Sequence, residues 1–162
     1  MKILFRRDII ICANTITLLA VCVCIILLIP ACAPKTDEPF NAEEALARLL
    51  AEVQYEDELA DASEYAEYAF AGMPDGVEIK MYSCGGGHAD AIIMCIANEA
   101  SDLPGIRDAL KEFIASRRHD AERYDPREVT KYDNAVWCER WLYVIVCITG
   151  DTETAEGILS GA

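Results

Sequence analysis

The stretch VEIKMYSCGGGHADAIIMCIA, residues 77–97, decides the fold because two strand patterns flank a run of three glycines. Apolar and polar side chains alternate in VEIKMYSC, which is typical of a strand with one face on a core and one in water. The glycines tolerate the positive φ angles of a tight turn. AIIMCIA, residues 91–97, is apolar throughout and predicts a central strand covered on both faces. The stretch is therefore predicted to form a hairpin.

A second hairpin is predicted from NAVWC and LYVIVCI, with its turn near Glu139-Arg140-Trp141. Its last run is again apolar throughout, so both continuous runs belong in the interior of a sheet and the alternating strand at an edge. This gives the strand order 1-2-4-3. The predicted fold class is therefore α+β, with a four-stranded antiparallel sheet of two hairpins packed against helices.

Helix signals surround the two hairpins. Asn41 and Glu44 have the spacing of a capping box, and apolar residues then recur at helical spacing. A second, less regular helical stretch follows before the first hairpin. Ser101 and Asp102 are predicted to cap a long helix that ends before Pro126. A short C-terminal helix is predicted after the last strand.

The charge is unevenly spread along the chain. Residues 1–31 carry a net charge of +2, whereas residues 32–162 carry 11 basic and 27 acidic side chains and a net charge of −16. A domain this acidic repels nucleic acid phosphates, which argues against nucleic acid as a partner.

The N-terminal part contains an uncharged apolar run from Ile9 to Pro30. Its 22 residues would span about 33 Å as a helix, enough to cross a hydrocarbon core. Basic residues precede the run and the acidic domain follows it. This order places the N-terminus in the cytoplasm and the domain on the extracytoplasmic side.

The end of the apolar run, Ile29-Pro30-Ala31-Cys32, resembles the lipobox of bacterial lipoproteins. The resemblance implies that the Cys32 thiol receives a diacylglycerol and that a signal peptidase cleaves before it. Residues 1–31 are then a lipoprotein signal peptide, 32–40 a flexible tether and 41–162 a single α+β domain. The domain is expected to lie on the extracytoplasmic face of the cell membrane, which it contacts through the lipid at Cys32.

Two alternatives stay open for this segment. Ala31-Cys32-Ala33 also has the small-x-small pattern of an ordinary signal peptidase site, which would release a secreted protein. If nothing cleaves, the run remains a single transmembrane anchor. The polar, proline-containing tether directly after Cys32 favours lipidation.

The folded part resembles the bacterial family called domain of unknown function 4358, from about Asn41 onward. The shared features are the alternating strand, the Gly-rich turn, the apolar strand, the long helix with Tyr124 and Pro126 at its end, and a hairpin that carries Tyr143. This chain has Trp141 where the family usually has a glycine. Members look like small lipoproteins of Firmicutes, and the resemblance implies no reaction, substrate or cofactor.

The chain offers little catalytic or metal-binding signal. Cys84 and His88 form a Cys-x3-His pattern, but the second pair of a closed zinc site is missing. A Cys-His nucleophile from Cys84 with His88 or His119 lacks any local signature. No catalytic residue, metal site or cofactor is therefore expected.

Three residues are candidates for contacts with a ligand or partner. Arg117 and Arg118 belong to the basic cluster of the folded part and could receive an anionic group. The alternative is a solvated helix face whose arginines pair with Asp120 and Glu122. Trp141 becomes a contact residue if it protrudes from its turn.

The four cysteines of the folded part are expected to be free thiols, since simple hairpin registers do not place Cys84 opposite Cys95 or Cys138 opposite Cys147. The alternative is a bridge between the hairpins, because the two central strands could bring Cys95 near Cys147. The expected function is that of a membrane-tethered lipoprotein with a non-catalytic binding or envelope-associated role. The alternative is an unrecognised enzyme, which would require a cleft with convergent polar groups and a perturbed pKa.

Overall fold

A computed structural model describes residues 40–85 and 87–161 of the chain. The apolar run and Cys32 lie outside the described residues, so the predicted signal peptide, cleavage and lipidation concern residues that the structure does not describe. Residues 39–162 form a compact unit. Among the described residues, no helix is both long and apolar enough to cross a membrane.

The described residues form five α-helices and five strands. The helices are α1 (Ala42–Glu52), α2 (Ser63–Ala69), α3 (Leu103–Tyr124), α4 (Val129–Asp133) and α5 (Thr152–Gly161), with a 3-10 turn at Ala100–Asp102 before α3. The strands are β1 (Ala60–Asp61), β2 (Glu78–Ser83), β3 (Ala91–Ile96), β4 (Val136–Arg140) and β5 (Tyr143–Ile148).

The strands form one antiparallel sheet in the order β1-β2-β3-β5-β4. The α+β class is confirmed, and the four long strands follow the predicted order 1-2-4-3. The predicted count of four strands is wrong, because β1 adds a fifth strand at the edge of β2. Ala60 pairs with Ser83 and Asp61 with Tyr82. Two residues are too few to show the alternation by which a strand is recognised.

The sheet has a hydrophobic core on each face, because alternate side chains of a strand point to opposite sides. Ile93, Cys95 and Val146 belong to the core that includes residues of α2 and α3. Ile92 and Met94 belong to the opposite core, which includes residues of α1 and α5. Strands β3 and β5 are therefore covered on both faces, as their continuous apolar runs predict.

The helix ends follow the capping signals only in part. The Asn41 side chain accepts a hydrogen bond from the backbone N–H of Glu44, as the capping-box pattern predicts. At the start of the long helix the prediction is right for Asp102, which is the N-cap residue of α3, and wrong for Ser101. The reciprocal capping bonds around the 3-10 turn join Asp102 to Glu99. The helix α4 is an element that the sequence did not predict.

The four cysteines of the folded part are free. Cys95 lies opposite Val144 and Cys147 opposite Ile92 in the ladder between the two central strands. The two thiols belong to cores on opposite faces of the sheet. A disulfide bond between them would require one strand to present its other face to the same core.

Candidate ligand-binding site

A cavity of about 370 Å³ lies beside the glycine turn that joins β2 to β3. Buried apolar side chains of the strands and of α3 form part of its wall, among them Met81, Phe113 and Ile148. Tyr65 and Tyr124 also line it and are exposed, which places aromatic rings at its mouth. The cavity therefore combines an apolar wall with an aromatic rim, as small-molecule sites commonly do.

The glycine turn shapes the entrance. Gly87 has a φ of 92°, a conformation that a side chain with a Cβ rarely adopts. The turn brings the segment from His88 to Asp90 along the cavity wall before β3 begins at Ala91.

Arg117 is the candidate contact residue that lies in the cavity wall. Its guanidinium carbon is 5.3 Å from the ring centre of Phe113 and 5.7 Å from that of Tyr65, and it donates a hydrogen bond to the Tyr65 hydroxyl. Among the side chains that the structure describes, no carboxylate forms an ion pair with it. Its remaining donors are thus available to an anionic ligand.

Arg118, the adjacent candidate, is used differently. Its Nε lies 2.6 Å from Asp133 Oδ1, and its Nη1 forms an ion pair with Glu122. The hydrogen bonds to these carboxylates raise the pKa of Arg118 above its ordinary value. Arg118 does not line the cavity. The interpretation as a solvated, ion-paired helix face therefore applies to Arg118 and not to Arg117.

Trp141 protrudes from the turn between β4 and β5, and 76% of its surface is exposed. Its φ of 56° lies in the left-handed region, which favours glycine. Trp141 meets the condition for a contact residue, but it does not line the cavity.

A buried charge cluster adjoins the cavity. Lys131 of α4 places its Nζ 2.9 Å from Glu56 Oε1, 3.0 Å from Asp90 Oδ2 and 3.0 Å from Glu128 Oε2. Asp90 is 1% exposed, and Glu128 and Lys131 are also buried. Backbone donors complete the cluster, since the Glu56 N–H bonds to Asp90 and the Ala89 N–H bonds to Glu128.

The cluster favours the charged forms of Lys131 and Glu56. Burial opposes the charged form of Lys131, but hydrogen bonds to Glu56, Asp90 and Glu128 outweigh it and raise the pKa of Lys131 above its ordinary value. The hydrogen bond from Lys131 in turn lowers the pKa of Glu56. Lys131 is therefore an ammonium that organises carboxylates rather than a base.

His88 stands between this cluster and the solvent. Its Nδ1 is 2.8 Å from Glu56 Oε2 and 3.9 Å from Glu128 Oε1, and its Nε2 is 3.5 Å from Asp57 Oδ2. The Oδ1 atom of Asp90 is buried and has no hydrogen-bond partner among the described residues.

The sequence does not reveal the cluster because its members come from three segments that are far apart in the chain. Glu128 and Lys131 are three positions apart, but Lys131 is 41 positions from Asp90 and 75 from Glu56. The Cys-x3-His pattern pointed to His88 but paired it with the wrong residue. Cys84 instead donates its S–H to the carbonyl oxygen of Asp57, and burial raises the pKa of its thiol.

No protein-family model matches the chain, and no curated protein or solved structure matches it either. The resemblance to domain of unknown function 4358 is therefore a prediction that rests on the residues quoted above.

Proposed function

We propose that this protein is a lipid-tethered, extracytoplasmic domain that binds a small anionic organic ligand in the cavity. The observation that carries the proposal is the position of Arg117. Its guanidinium lies in the cavity wall against two aromatic rings, and no described carboxylate neutralises it.

The lining groups define the chemistry of this ligand. The planar fork of an arginine side chain binds a carboxylate or phosphate through two parallel hydrogen bonds. The apolar wall and the two tyrosines at the mouth suit a ring or an apolar body. The carboxylates of Asp90, Asp120, Asp125 and Glu128 also line the cavity, so hydroxyl or amino groups fit better than a second negative charge. A monoanion with a ring and a hydroxyl group meets these requirements.

One observation favours the enzymatic alternative. Charged groups converge beside the cavity, and the pKa of Lys131 is raised above its ordinary value. However, the shift keeps Lys131 protonated, and its three carboxylates neutralise it. A group held in this way neither abstracts a proton nor attacks a substrate. We therefore retain the non-catalytic binding role.

Binding can be tested with 4-hydroxybenzoate, which carries one carboxylate, one ring and one hydroxyl group. The full chain in detergent is titrated and followed by saturation-transfer NMR. Arg117→Gln should weaken binding about 10- to 100-fold, since hydrogen bonds to charged groups contribute about 1.5–3 kcal/mol. Arg118→Gln removes the same charge one position away and outside the cavity, so it should bind like the wild type. Equal binding by both variants, or none by the wild type, would contradict the proposal.

The tether is proposed from the lipobox-like sequence at Cys32 and from the polar segment that follows it. One diacylglycerol buries two chains at about 0.8 kcal/mol per methylene, which makes a durable anchor. Labelling cells with an alkyne fatty acid should mark the wild-type protein and not Cys32→Ser. A free N-terminus at Pro34 would instead indicate secretion, and a retained Met1 a transmembrane anchor.

A further inference from the structure

We propose that Glu56, His88 and Glu128 form a binding site for one divalent transition metal ion of the zinc class. Each of them offers one ligand atom, and the three atoms lie within 4.8 Å of one another. In a tetrahedral zinc site, bonds of about 2.0–2.2 Å place the ligand atoms about 3.4 Å apart. The 2.8 Å and 3.9 Å distances from His88 Nδ1 to the two carboxylates bracket this value.

Lys131 orients the two carboxylates toward the site. It pairs with Oε1 of Glu56 and Oε2 of Glu128, and these are not the oxygens that face His88. Each carboxylate therefore uses one oxygen for the ammonium and presents the other to the imidazole nitrogen. Such outer contacts are how proteins fix the geometry of metal ligands.

The charge of the cluster also fits a divalent cation. Three carboxylates, those of Glu56, Asp90 and Glu128, converge on one ammonium group, so the acidic groups of the cluster outnumber the basic one by two. Two of these carboxylates are buried, where uncompensated charge is costly. A divalent ion at Nδ1 of His88 would neutralise the remainder.

Two further observations point to a ligand at this position. His88 turns its second nitrogen, Nε2, toward Asp57 Oδ2 at 3.5 Å, the arrangement in which metal-bound histidines are held by an outer carboxylate. Asp90 pairs with the same Lys131 ammonium as the two carboxylate ligands, and its Oδ1 is a buried acceptor without a donor in the described part of the chain.

The site is open to an ion and to a fourth ligand. Glu56 is half exposed, and both His88 and Glu128 line the cavity. Three protein ligands leave one position of a tetrahedral ion for water or for an exogenous group. One imidazole nitrogen with two carboxylate oxygens suits zinc better than magnesium, which prefers oxygen ligands alone.

The test is a titration with Zn²⁺ alone, so its result does not depend on the organic ligand proposed for the cavity. The full chain, without a polyhistidine tag, is stripped with EDTA in detergent and titrated calorimetrically. We expect one Zn²⁺ per chain. His88→Ala and Glu56→Gln should each weaken binding more than about 100-fold, because even outer contacts of metal ligands are worth about 10- to 100-fold.

Two matched controls separate this site from adventitious binding. His119→Ala removes the other histidine of the chain, which lies on the surface of α3, and should leave Zn²⁺ affinity unchanged. Cys84→Ala should do the same, and Co²⁺ bound in place of Zn²⁺ should show no thiolate charge-transfer band. The proposal is overturned if the wild type binds no Zn²⁺, if His88→Ala or Glu56→Gln binds it as the wild type does, or if binding depends on Cys84. In each of those cases His88 is only an ion-pair partner of its carboxylates.

Discussion

Replacing Lys131 by Met tests whether the buried charge cluster stabilises the folded domain. The substitution keeps a long side chain and removes the ammonium that lies about 3 Å from three carboxylates. Glu56 is half exposed, so its carboxylate can return to water. Asp90 and Glu128 are buried, so their carboxyl groups would lose the ammonium partner without gaining access to water.

The structure sets the size of the effect. The pair with exposed Glu56 contributes less than about 1 kcal/mol. Removing the partner of a buried charge costs about 3–5 kcal/mol. Backbone donors from Glu56 and Ala89 still bond to the two buried carboxylates, which limits the loss. We therefore expect Lys131→Met to lower the free energy of unfolding by about 3–5 kcal/mol.

Urea denaturation followed by circular dichroism measures this free energy. With a slope of about 2 kcal/mol per molar urea, the midpoint should fall by about 1.5–2.5 M. Lys131→Met combined with Asp90→Asn should recover at least about 1 kcal/mol, because one stranded charge is gone. The control is Arg118→Gln, whose ion pairs are exposed and should cost less than about 1 kcal/mol. If Lys131→Met unfolds within about 1 kcal/mol of the wild type, the cluster does not hold the domain together and the reasoning is refuted.

Three further predictions concern single positions. Burial raises the pKa of Cys95 from 9.0 to about 12, so the unfolded chain loses this proton first and stability falls as the pH rises above 9. Cys95→Ala should remove about 2–3 kcal/mol of that fall by about pH 11, measured as the difference from wild type in urea titrations across the range. Trp141→Gly should raise stability by up to about 1 kcal/mol, because the strained left-handed φ is relieved at an exposed turn; a lower melting temperature would contradict this. Gly105→Ala should destabilise α3, because the new Cβ would lie 2.8 Å from Pro74 Cγ. Gly157→Ala should stabilise α5 by about 0.5–1 kcal/mol, because its Cβ would meet nothing within 4 Å. A calorimetric melt of both variants checks that the two changes in stability have opposite signs.

Most of the sheet could be predicted because strand patterns are local. The alternating residues 77–83 indicate a strand with one buried face. The continuous apolar runs of β3 and β5 indicate strands that are buried on both faces. Burial on both faces then required β3 and β5 to be central, which gave the order of the long strands. The strand β1 has no such pattern, because its pairing with β2 depends on the path that the chain takes after α1.

Local sequence patterns also do not distinguish the roles of the two candidate arginines. Arg117 and Arg118 are adjacent on one helix, and only their angular positions relative to the sheet decide their roles. A helix turns about 100° per residue, so Arg117 faces the cavity while Arg118 faces Glu122 and Asp133. The sequence predicted a basic helix segment correctly but could not tell which arginine lines the cavity.

What the sequence determined by itself is therefore the α+β class, the two hairpins and the order of the long strands, because periodicity along the chain reflects burial directly. It also carries the lipobox-like segment at Cys32, which is a local motif. The tertiary structure alone decided the cavity and the cluster of Glu56, Asp90, Glu128 and Lys131, which His88 adjoins. Polar groups that converge from distant segments leave no period in the sequence, since their distances depend on how the helices pack across the sheet.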